Sequence, residues 1–288
     1  MAYHLPHGST ATDGLPLVVT PESAGWRYCS LRILELDHGE QRTFESGADE
    51  LIVLPLAGSC EVACDGAAFA LAGRAGVFAG PSDFAYVPIG TEFTVASAGG
   101  GRFALPAARA TTRLEPRYMP ASSVPVELRG AGAASRQVHN FCAPEAFAAD
   151  RLIAVEVVTP GGNTSSYPPH KHDVDEPGGG EVALEEIYYY EVAGEAGFAL
   201  QRAYGPGDGR DLDICAEVRT GDAVLLPYGY HGPSVALPGY DLYYLNVMAG
   251  GGERAWRFSD DPAHAWIRPT WATQAIDPRL PYGRRDGR

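Results

Sequence analysis

Basic side chains are scarce in this 288-residue sequence: 22 Lys and Arg stand against 36 Asp and Glu, which gives a formal net charge of -14. Lysine itself occurs only once, as Lys171. A net field of this sign repels phosphate backbones and anionic lipid headgroups. We therefore expect neither a nucleic acid nor a membrane surface as a partner of this protein.

Apolar segments long enough to cross a membrane are also missing. The longest uncharged run, 223–240, is interrupted by three prolines and three glycines, which a transmembrane helix of about 20 apolar residues tolerates poorly. Residues 1–14 lack the basic start and the apolar core of a secretion signal. We therefore expect a protein that stays in the cytoplasm.

Paired cysteine motifs are absent as well. The five cysteines are odd in number, scattered and without CxxC spacing: Cys29, Cys60, Cys64, Cys142 and Cys215. A disulfide framework or a structural zinc knot would need paired cysteines. We expect buried free thiols instead.

Glycine and proline, in contrast, are abundant, with 35 and 23 residues. They punctuate short runs rich in Val, Ile, Leu, Tyr and Phe, which is the pattern of an all-β protein. Helical periodicity is scarce, and only segment 144–150, with proline first and alanines after it, is predicted as a short helix. The predicted strands include 51–56, 84–87, 152–158, 187–192, 197–204, 223–226 and 242–248.

An internal repeat runs through the sequence. Glu50 is followed eight residues later by Gly58 in ELIVLPLAG, and Glu186 is followed eight residues later by Gly194 in EIYYYEVAG. Each half then reaches a Pro-x-Gly turn, 38 residues after the glutamate in the first half and 41 in the second. Two matched blocks of this kind predict duplicated β-barrels; the alternative is chance similarity between two glycine-rich β segments.

Two histidines of the second half, His170 and His172, are two residues apart in the segment YPPHKHD. On a β-strand residues i and i+2 share a face, so both imidazoles would point the same way. On a helix they would diverge by about 200°, and the two preceding prolines disfavour a helix. The spacing favours a shared ligand, although an isolated HxH pair is more often a surface feature.

Two further metal-ligand candidates follow in the same half. Glu186 opens the next apolar strand, and His231 follows the PYGYH turn. Three neutral imidazoles and one carboxylate suit a divalent first-row metal, with one or two positions left for water or substrate. We prefer Zn or Mn, and Fe, Co and Ni stay open because ligand type alone does not choose among them.

The two halves differ in this respect. The first half keeps Glu50 but has no HxH, and Thr91 and Glu92 follow its turn where a histidine would be needed. We therefore predict an N-terminal barrel without metal ligands in residues 1–125 and a metal-binding barrel in residues 126–288. A linker is expected within 113–137, where RGAGAAS is typical of a flexible chain.

The motifs of the second half resemble those of a known family. YPPHKHD, LEEIYYYEV, GFALQRAYG, LLPYGYHGPSVALPGYDLYYLNVMAG and the late DDPAHAWI are together similar to the 5-deoxy-glucuronate isomerases, the bicupin enzymes of bacterial myo-inositol catabolism within the cupin superfamily. The resemblance implies two tandem jelly-roll barrels and a small-molecule sugar acid as substrate, with a homo-oligomer left open. It also implies a set of four metal ligands: His170, His172, Glu186 and His231. The adjacent Glu185 is the alternative for the carboxylate ligand.

The activity that this resemblance implies is an aldose–ketose isomerisation, the conversion of 5-deoxy-D-glucuronate to 5-dehydro-2-deoxy-D-gluconate. Such chemistry needs an electrophile at the carbonyl, a base that removes the C2 proton and an acid that returns it to C1. Candidates for the base are a metal-bound hydroxide, Glu185 and Tyr188, since strand alternation puts Tyr188 on the face of Glu186; a metal-assisted hydride shift is the alternative to proton transfer. The substrate carboxylate calls for an arginine, for which we name Arg202 first and Arg254 second, with Gln201 as the inward-facing alternative to Arg202.

Two other functions compete with the isomerase. Three histidines and a glutamate can hold Fe or Ni for oxygen chemistry, so a bicupin dioxygenase is one alternative, and oxygen consumption would distinguish it. The other is a sugar-binding cupin without turnover, for which a complete ligand set would be surplus. Fold-level analogy alone does not decide among them.

Overall fold

The computed structural model describes residues 2–176 and 178–283, in which antiparallel strands form two tandem barrels. This confirms the all-β prediction. The first strand, β1 (His4–Leu5), pairs within the second barrel. In the described residues no helix combines the length and the hydropathy that crossing a bilayer requires.

The first barrel is one nine-stranded sheet that folds over along its longest strand, β5. The first part of β5 pairs with β7 and β9, and its last residues pair with β6 and β8. The strands of this barrel are β2 (Leu17–Val19), β3 (Cys29–Leu36), β4 (Glu40–Glu45), β5 (Asp49–Cys64), β6 (Ala67–Arg74), β7 (Phe84–Val87), β8 (Glu92–Ser97), β9 (Gly101–Arg109) and β10 (Arg117–Met119).

The second barrel consists of two sheets that face each other. The seven-stranded sheet has the order β1-β19-β16-β21-β13-β12-β11, and the six-stranded sheet has the order β18-β17-β20-β15-β22 with β14 on β20. The strands are β11 (Val126–Arg129), β12 (Arg136–Cys142), β13 (Ile153–Thr159), β14 (Thr164–Ser165), β15 (His170–Lys171), β16 (Glu185–Val192), β17 (Ala199–Tyr204), β18 (Asp213–Val218), β19 (Ala223–Leu226), β20 (Tyr230–Ala236), β21 (Leu242–Ala249) and β22 (Ser259–Asp260).

Helices are short in both barrels. The α-helices are α1 (Pro21–Ala24) and α2 (Ile267–Thr270), and the 3₁₀ segments are Val77–Ala79, Ala121–Ser123, Gly132–Ala134 and Trp271–Thr273. The helix predicted over 144–150 is wrong: the segment forms turns, in which the N–H groups of Ala146 and Phe147 donate to the carbonyl of Ala143. Seven residues are too few to offset the cost of helix nucleation without tertiary support.

The strands change barrel between Met119 and Val126. The predicted division into 1–125 and 126–288 differs from this arrangement in one respect, because β1 joins the second barrel beside β19. The predicted linker, 113–137, is not an open chain: it contains β10, β11 and the beginning of β12.

Strand alternation divides the buried side chains into barrel interiors and a core between the barrels. On β16, Tyr188 and Tyr190 pack inside the second barrel, whereas Ile187 and Tyr189 belong to a shared core with β3, β5 and β7 of the first. This confirms that Tyr188 lies on the face of Glu186. All five cysteines are free, and four are buried; Cys215 is exposed.

The register of the two barrels corrects the predicted repeat. Leu51 pairs with Val87, the residue before the Pro-x-Gly turn, and Glu186 pairs with Leu226 at the same place in the second barrel. Leu51 is therefore the counterpart of Glu186, and Glu50 is the counterpart of Glu185. The predicted equivalence of Glu50 and Glu186 is wrong by one residue.

Candidate metal centre and substrate cavity

Three potential metal ligands converge inside the second barrel. His172 follows β15, Glu186 lies near the start of β16, and His231 lies near the start of β20. Their ligand atoms all lie within 4.8 Å of one another. Glu186 Oε2 is 3.0 Å from His172 Nε2 and 3.2 Å from His231 Nε2, and all three residues are buried.

Backbone carbonyls orient the imidazoles. His172 Nδ1 lies 3.1 Å from the Leu184 carbonyl oxygen, and His231 Nδ1 lies 3.4 Å from that of Gly229. Because a carbonyl oxygen only accepts, each Nδ1 carries the proton and donates it, which leaves Nε2 directed at Glu186. A hydrogen bond of this kind fixes the tautomer of metal-binding histidines.

The charge states of these groups fit a cation site. Burial lowers the pKa of His231 well below its usual value, so its imidazole is neutral. Its Nε2 is buried and makes no hydrogen bond, although Glu186 is close. Burial opposes protonation of His172 too, but the hydrogen bond and charge of Glu186 outweigh it and raise that pKa. A lone pair without a donor next to a carboxylate is the arrangement that a divalent metal satisfies.

The fourth predicted ligand, His170, lies beside this group and not within it. Its ring centroid is 4.4 Å from that of His231 and 6.4 Å from that of His172. Burial, with a contribution from His172, lowers the pKa of His170 to about 3, so this imidazole is neutral as well. Its Nδ1 donates to the Pro168 carbonyl at 3.2 Å, which leaves Nε2 free.

A small cavity adjoins the cluster. Besides His170 and Glu186, its wall includes three residues that carry hydroxyl groups: Ser166, Tyr188 and Tyr244. The Tyr188 hydroxyl is 2.6 Å from Ser166 Oγ, and burial raises the pKa of Tyr188 well above its usual value. The cavity volume is about 30 Å³, room for one or two waters but not for a sugar.

The segment after β21 closes the cavity. Trp256, Phe258 and Arg268 line it from one side, and we call residues 253–273 the cap segment. Its strand β22 pairs with β15, so that Asp260 lies opposite His170. The Phe258 ring contacts the His170 ring at a centroid distance of 4.7 Å.

The Glu185 carboxylate, predicted for proton transfer, lies elsewhere. Its oxygens accept three consecutive backbone N–H groups of residues 27–29, at 2.7 to 3.0 Å. Adjacent residues of a strand point to opposite faces, so Glu185 faces the first barrel when Glu186 faces the interior. This position, away from the cavity, argues against Glu185 as the base.

The residues predicted to bind the substrate carboxylate also lie outside the cavity. Arg202 pairs with Asp213 and donates to two backbone carbonyls on β17 and β18. Arg254 donates to the Leu152 and Cys142 carbonyls. Gln201 does face inward and is buried, but it bonds to Ser234 and does not line the cavity.

Three arginines that sequence reasoning missed do line the cavity: Arg129, Arg136 and Arg268. Arg136 opens β12, in the segment predicted as a linker. Strand alternation with the apolar Val138 was the signal that could have found it, because both residues share one face.

Both the sequence and the fold of this chain are similar to those of known proteins. Residues 4–267 match the KduI/IolB family. A 5-deoxy-glucuronate isomerase of Geobacillus kaustophilus (strain HTA426) is 40% identical over 265 residues, 91% of this chain and 94% of that protein. A crystal structure of an IolB-like protein from Salmonella typhimurium LT2 has a TM-score of 0.86 and 37% identity, and the match covers 93% of this chain and 99% of that one.

The bicupin fold is also that of more distant proteins. An oxalate decarboxylase of Lactobacillus farciminis superposes with a TM-score of 0.64 at 12% identity, over 96% of this chain and 97% of that one. This likeness concerns the fold alone, whereas the family match and the identities near 40% extend over almost the whole chain. The chain belongs to the KduI/IolB family.

Proposed function

We propose that this protein is a metal-dependent isomerase that converts 5-deoxy-D-glucuronate to 5-dehydro-2-deoxy-D-gluconate in myo-inositol catabolism. The observation that carries the proposal is the convergence of His172, Glu186 and His231 on one buried point beside a cavity with a hydroxyl-lined wall. The relatives at about 40% identity that are named 5-deoxy-glucuronate isomerase support the substrate.

The metal would be held by His172, Glu186 and His231, with His170 as the fourth ligand. We prefer Zn or Mn, because imidazole and carboxylate donors suit both. A bound divalent ion supplies Lewis-acid polarisation of the substrate carbonyl. The carbonyl acceptors of Pro168, Leu184 and Gly229 hold the imidazoles in the orientation that this requires.

Hydroxyl-bearing residues of the cavity would take part in the proton transfer between C2 and C1 of the substrate. Isomerisation removes a proton from C2 of the aldose and returns a proton to C1. Tyr188 lies two residues from Glu186 on the same face of β16, and its hydroxyl bonds to Ser166. We assign Tyr188 the return of the proton, because burial raises the pKa of its phenol and keeps it protonated, with Ser166 and Tyr244 orienting the substrate oxygens.

The cap segment would admit the substrate. Because the cavity has room for only one or two waters in the present conformation, a six-carbon sugar acid enters only if Trp256 and Phe258 of the cap segment move outward. Closure over the bound sugar excludes bulk water, which strengthens the electrostatic interactions within the site.

The direct test is an NMR assay of the purified protein with 5-deoxy-D-glucuronate, without oxygen, before and after chelation. We expect the ketose product, loss of turnover with the chelator, and recovery when Zn or Mn is added. In D₂O, deuterium should appear at C1 of the product if a proton is transferred. Absence of product from the fully metal-loaded protein would refute the function; product that depends on oxygen consumption would favour the dioxygenase.

A further inference from the structure

The three arginines of the cavity differ in how their charges are balanced. Arg268 donates two hydrogen bonds to the carboxylate of Asp260. Arg129 donates two to the carboxylate of Glu127, at 2.9 and 2.7 Å. Each of these guanidinium groups is therefore already paired with an acid of its own, in the bidentate geometry that carboxylates favour.

Arg136 has no such partner. Its one hydrogen bond in the described part of the chain runs from Nη1 to the Ala134 carbonyl at 3.0 Å. Among residues 2–176 and 178–283, no carboxylate oxygen lies within 4.0 Å of its guanidinium group. The residue is only 5% exposed, and its guanidinium carbon lies 5.3 Å from the centroid of the Trp271 ring.

The charge of Arg136 is costly to bury. Burial lowers its pKa to about 10, and the neighbouring charges of Arg129 and Arg268 act in the same direction. At neutral pH the group still carries its proton. A buried charge without a counterion is strongly unfavourable, so a site of this kind gains stability when an anion enters.

A second unsatisfied group lies in the same cavity. The Asn246 Nδ2 atom is buried and has no hydrogen-bond partner, and the residue is 3% exposed. Asn246 stands directly opposite Tyr188 in the pairing of β21 with β16. Its free N–H groups therefore lie between the metal cluster and the strand of Arg136, where they can donate to a ligand oxygen.

The position of Arg136 suits one end of an extended ligand. Its strand, β12, is separated from β16 by β13 and β21. Three strand spacings put the two backbones about 14 Å apart, and the side chains of Glu186 and Arg136 both reach into the space between them. A six-carbon sugar acid carries its aldehyde at one end and its carboxylate at the other, so it needs two anchors that are separated along the cavity, as Glu186 and Arg136 are along this sheet.

We propose that Arg136 binds the carboxylate of the substrate, with Asn246 donating to a neighbouring oxygen, and that this contact makes the enzyme specific for uronate-type sugars. The inference rests on the proposed function, because it takes the sugar acid as the ligand. Arg136 would position the substrate and set its specificity; it would not move the proton.

The test compares the acid with its uncharged C6 amide in the wild-type protein, Arg136→Gln and Arg136→Lys. A bidentate, charge-assisted contact predicts that Arg136→Gln raises KM for the acid about 10- to 100-fold, with a smaller change in kcat. The preference for acid over amide in kcat/KM should disappear in Arg136→Gln and be partly kept in Arg136→Lys. An unchanged preference in Arg136→Gln would overturn the proposal.

Arg202→Gln is the matched control, because this arginine lies on the outer face of β17 and should leave KM within about twofold of wild type. Should Arg136→Gln fail to fold, calorimetric titration of metal-free wild-type protein decides: the acid is expected to bind at least about tenfold more tightly than the amide. Equal binding of acid and amide would contradict the inference. If the metal-loaded wild-type protein shows no isomerase activity but still binds the acid more tightly than the amide, only the proposed function is refuted.

Discussion

Strand β5 of the first barrel and strand β16 of the second have two structurally equivalent positions near their starts. These positions hold Glu50 and Leu51 in the first barrel and Glu185 and Glu186 in the second. At the first position the two barrels agree. Glu50 accepts the backbone N–H groups of residues 150–152 at 2.6 to 2.9 Å, as Glu185 accepts those of residues 27–29. Each carboxylate thus ties its own barrel to the backbone of the other.

At the second position the barrels differ. Leu51 is fully buried in the apolar interior of the first barrel, whereas Glu186 faces His172 and His231. At this one position, the choice of residue decides whether a carboxylate or an apolar side chain enters the barrel interior. The adjacent glutamate bonds to the backbone of the other barrel in both cases, so the candidate metal site lies on a scaffold that both barrels share.

The largest effect is expected when Glu186 of the second barrel is replaced by leucine, the residue that the first barrel has at the equivalent position, Leu51. Glu186→Leu removes the only carboxylate of the cluster, so we predict loss of bound metal and a fall in kcat of about 1000-fold or more, since Lewis-acid catalysis contributes several kcal/mol. The measurements are metal content and the NMR assay. Leu51→Met is the control and should retain both.

A variant Glu186→Leu that keeps its metal and stays within tenfold of wild-type activity would show that Glu186 is not a ligand. Thermal unfolding of the same sample distinguishes a lost site from a lost fold, because a leucine fits the apolar interior without a buried charge.

A second effect concerns the buried ion pair between the barrels. Arg74 of the first barrel bonds to Glu156 of the second, which also accepts from His139 at 2.9 Å and from Tyr243 at 2.7 Å. Glu156→Gln leaves Arg74 without its counterion in a buried position, so we expect the free energy of unfolding to fall by about 3–5 kcal/mol. Denaturant unfolding measures it, with the exposed Glu217→Gln as control; a loss below about 1 kcal/mol would contradict this account.

The same carboxylate predicts a pH dependence of stability. Burial would raise the pKa of Glu156, but the charge of Arg74 and the hydrogen bond from His139 outweigh it and lower that pKa from 4.5 to about 2. A depressed pKa in the folded state stabilises the protein above the pKa of the unfolded chain. This contribution should be lost as pH falls from about 4.5 to about 2, and Glu156→Gln should flatten that decline. An equally steep decline in the variant would contradict the assignment.

The smallest effect is expected at the shared first position. Glu50→Gln and Glu185→Gln each weaken charge-assisted hydrogen bonds to three backbone N–H groups, so each should lower the free energy of unfolding by about 1–3 kcal/mol. Glu185→Gln should leave kcat within about twofold of wild type. If Glu185→Gln instead abolished turnover without loss of stability, Glu185 would be the catalytic base after all.

Local patterns were sufficient to predict the strands and the convergence of His172, Glu186 and His231. Strand alternation and the flanking turns are set by neighbours in the chain, and they fix which face a side chain takes. The equivalence of the repeats was not predictable from spacing. Gly58 lies within β5, whereas Gly194 follows the end of β16. The two glycines are therefore not structurally equivalent, although each lies eight residues after a glutamate.

The roles of the arginines depend on tertiary contacts that the sequence does not display. Arg202 and Arg254 lie in conspicuous segments, yet their guanidinium groups are engaged by Asp213 and by backbone carbonyls. Arg136 follows a glycine- and alanine-rich stretch, and the pairing of β12 with β11 and β13 fixes the face that it shares with Val138. Which arginine keeps an unpaired charge depends on how the strands pack, which spacing alone does not display.

The central claim is that the second barrel holds one divalent ion on His172, Glu186 and His231. Elemental analysis of wild type, Glu186→Gln and Glu185→Gln, purified side by side and loaded with Zn or Mn, tests it most directly. We predict one ion per chain in wild type and in Glu185→Gln, and none in Glu186→Gln. An ion retained by Glu186→Gln but lost from Glu185→Gln would contradict the claim.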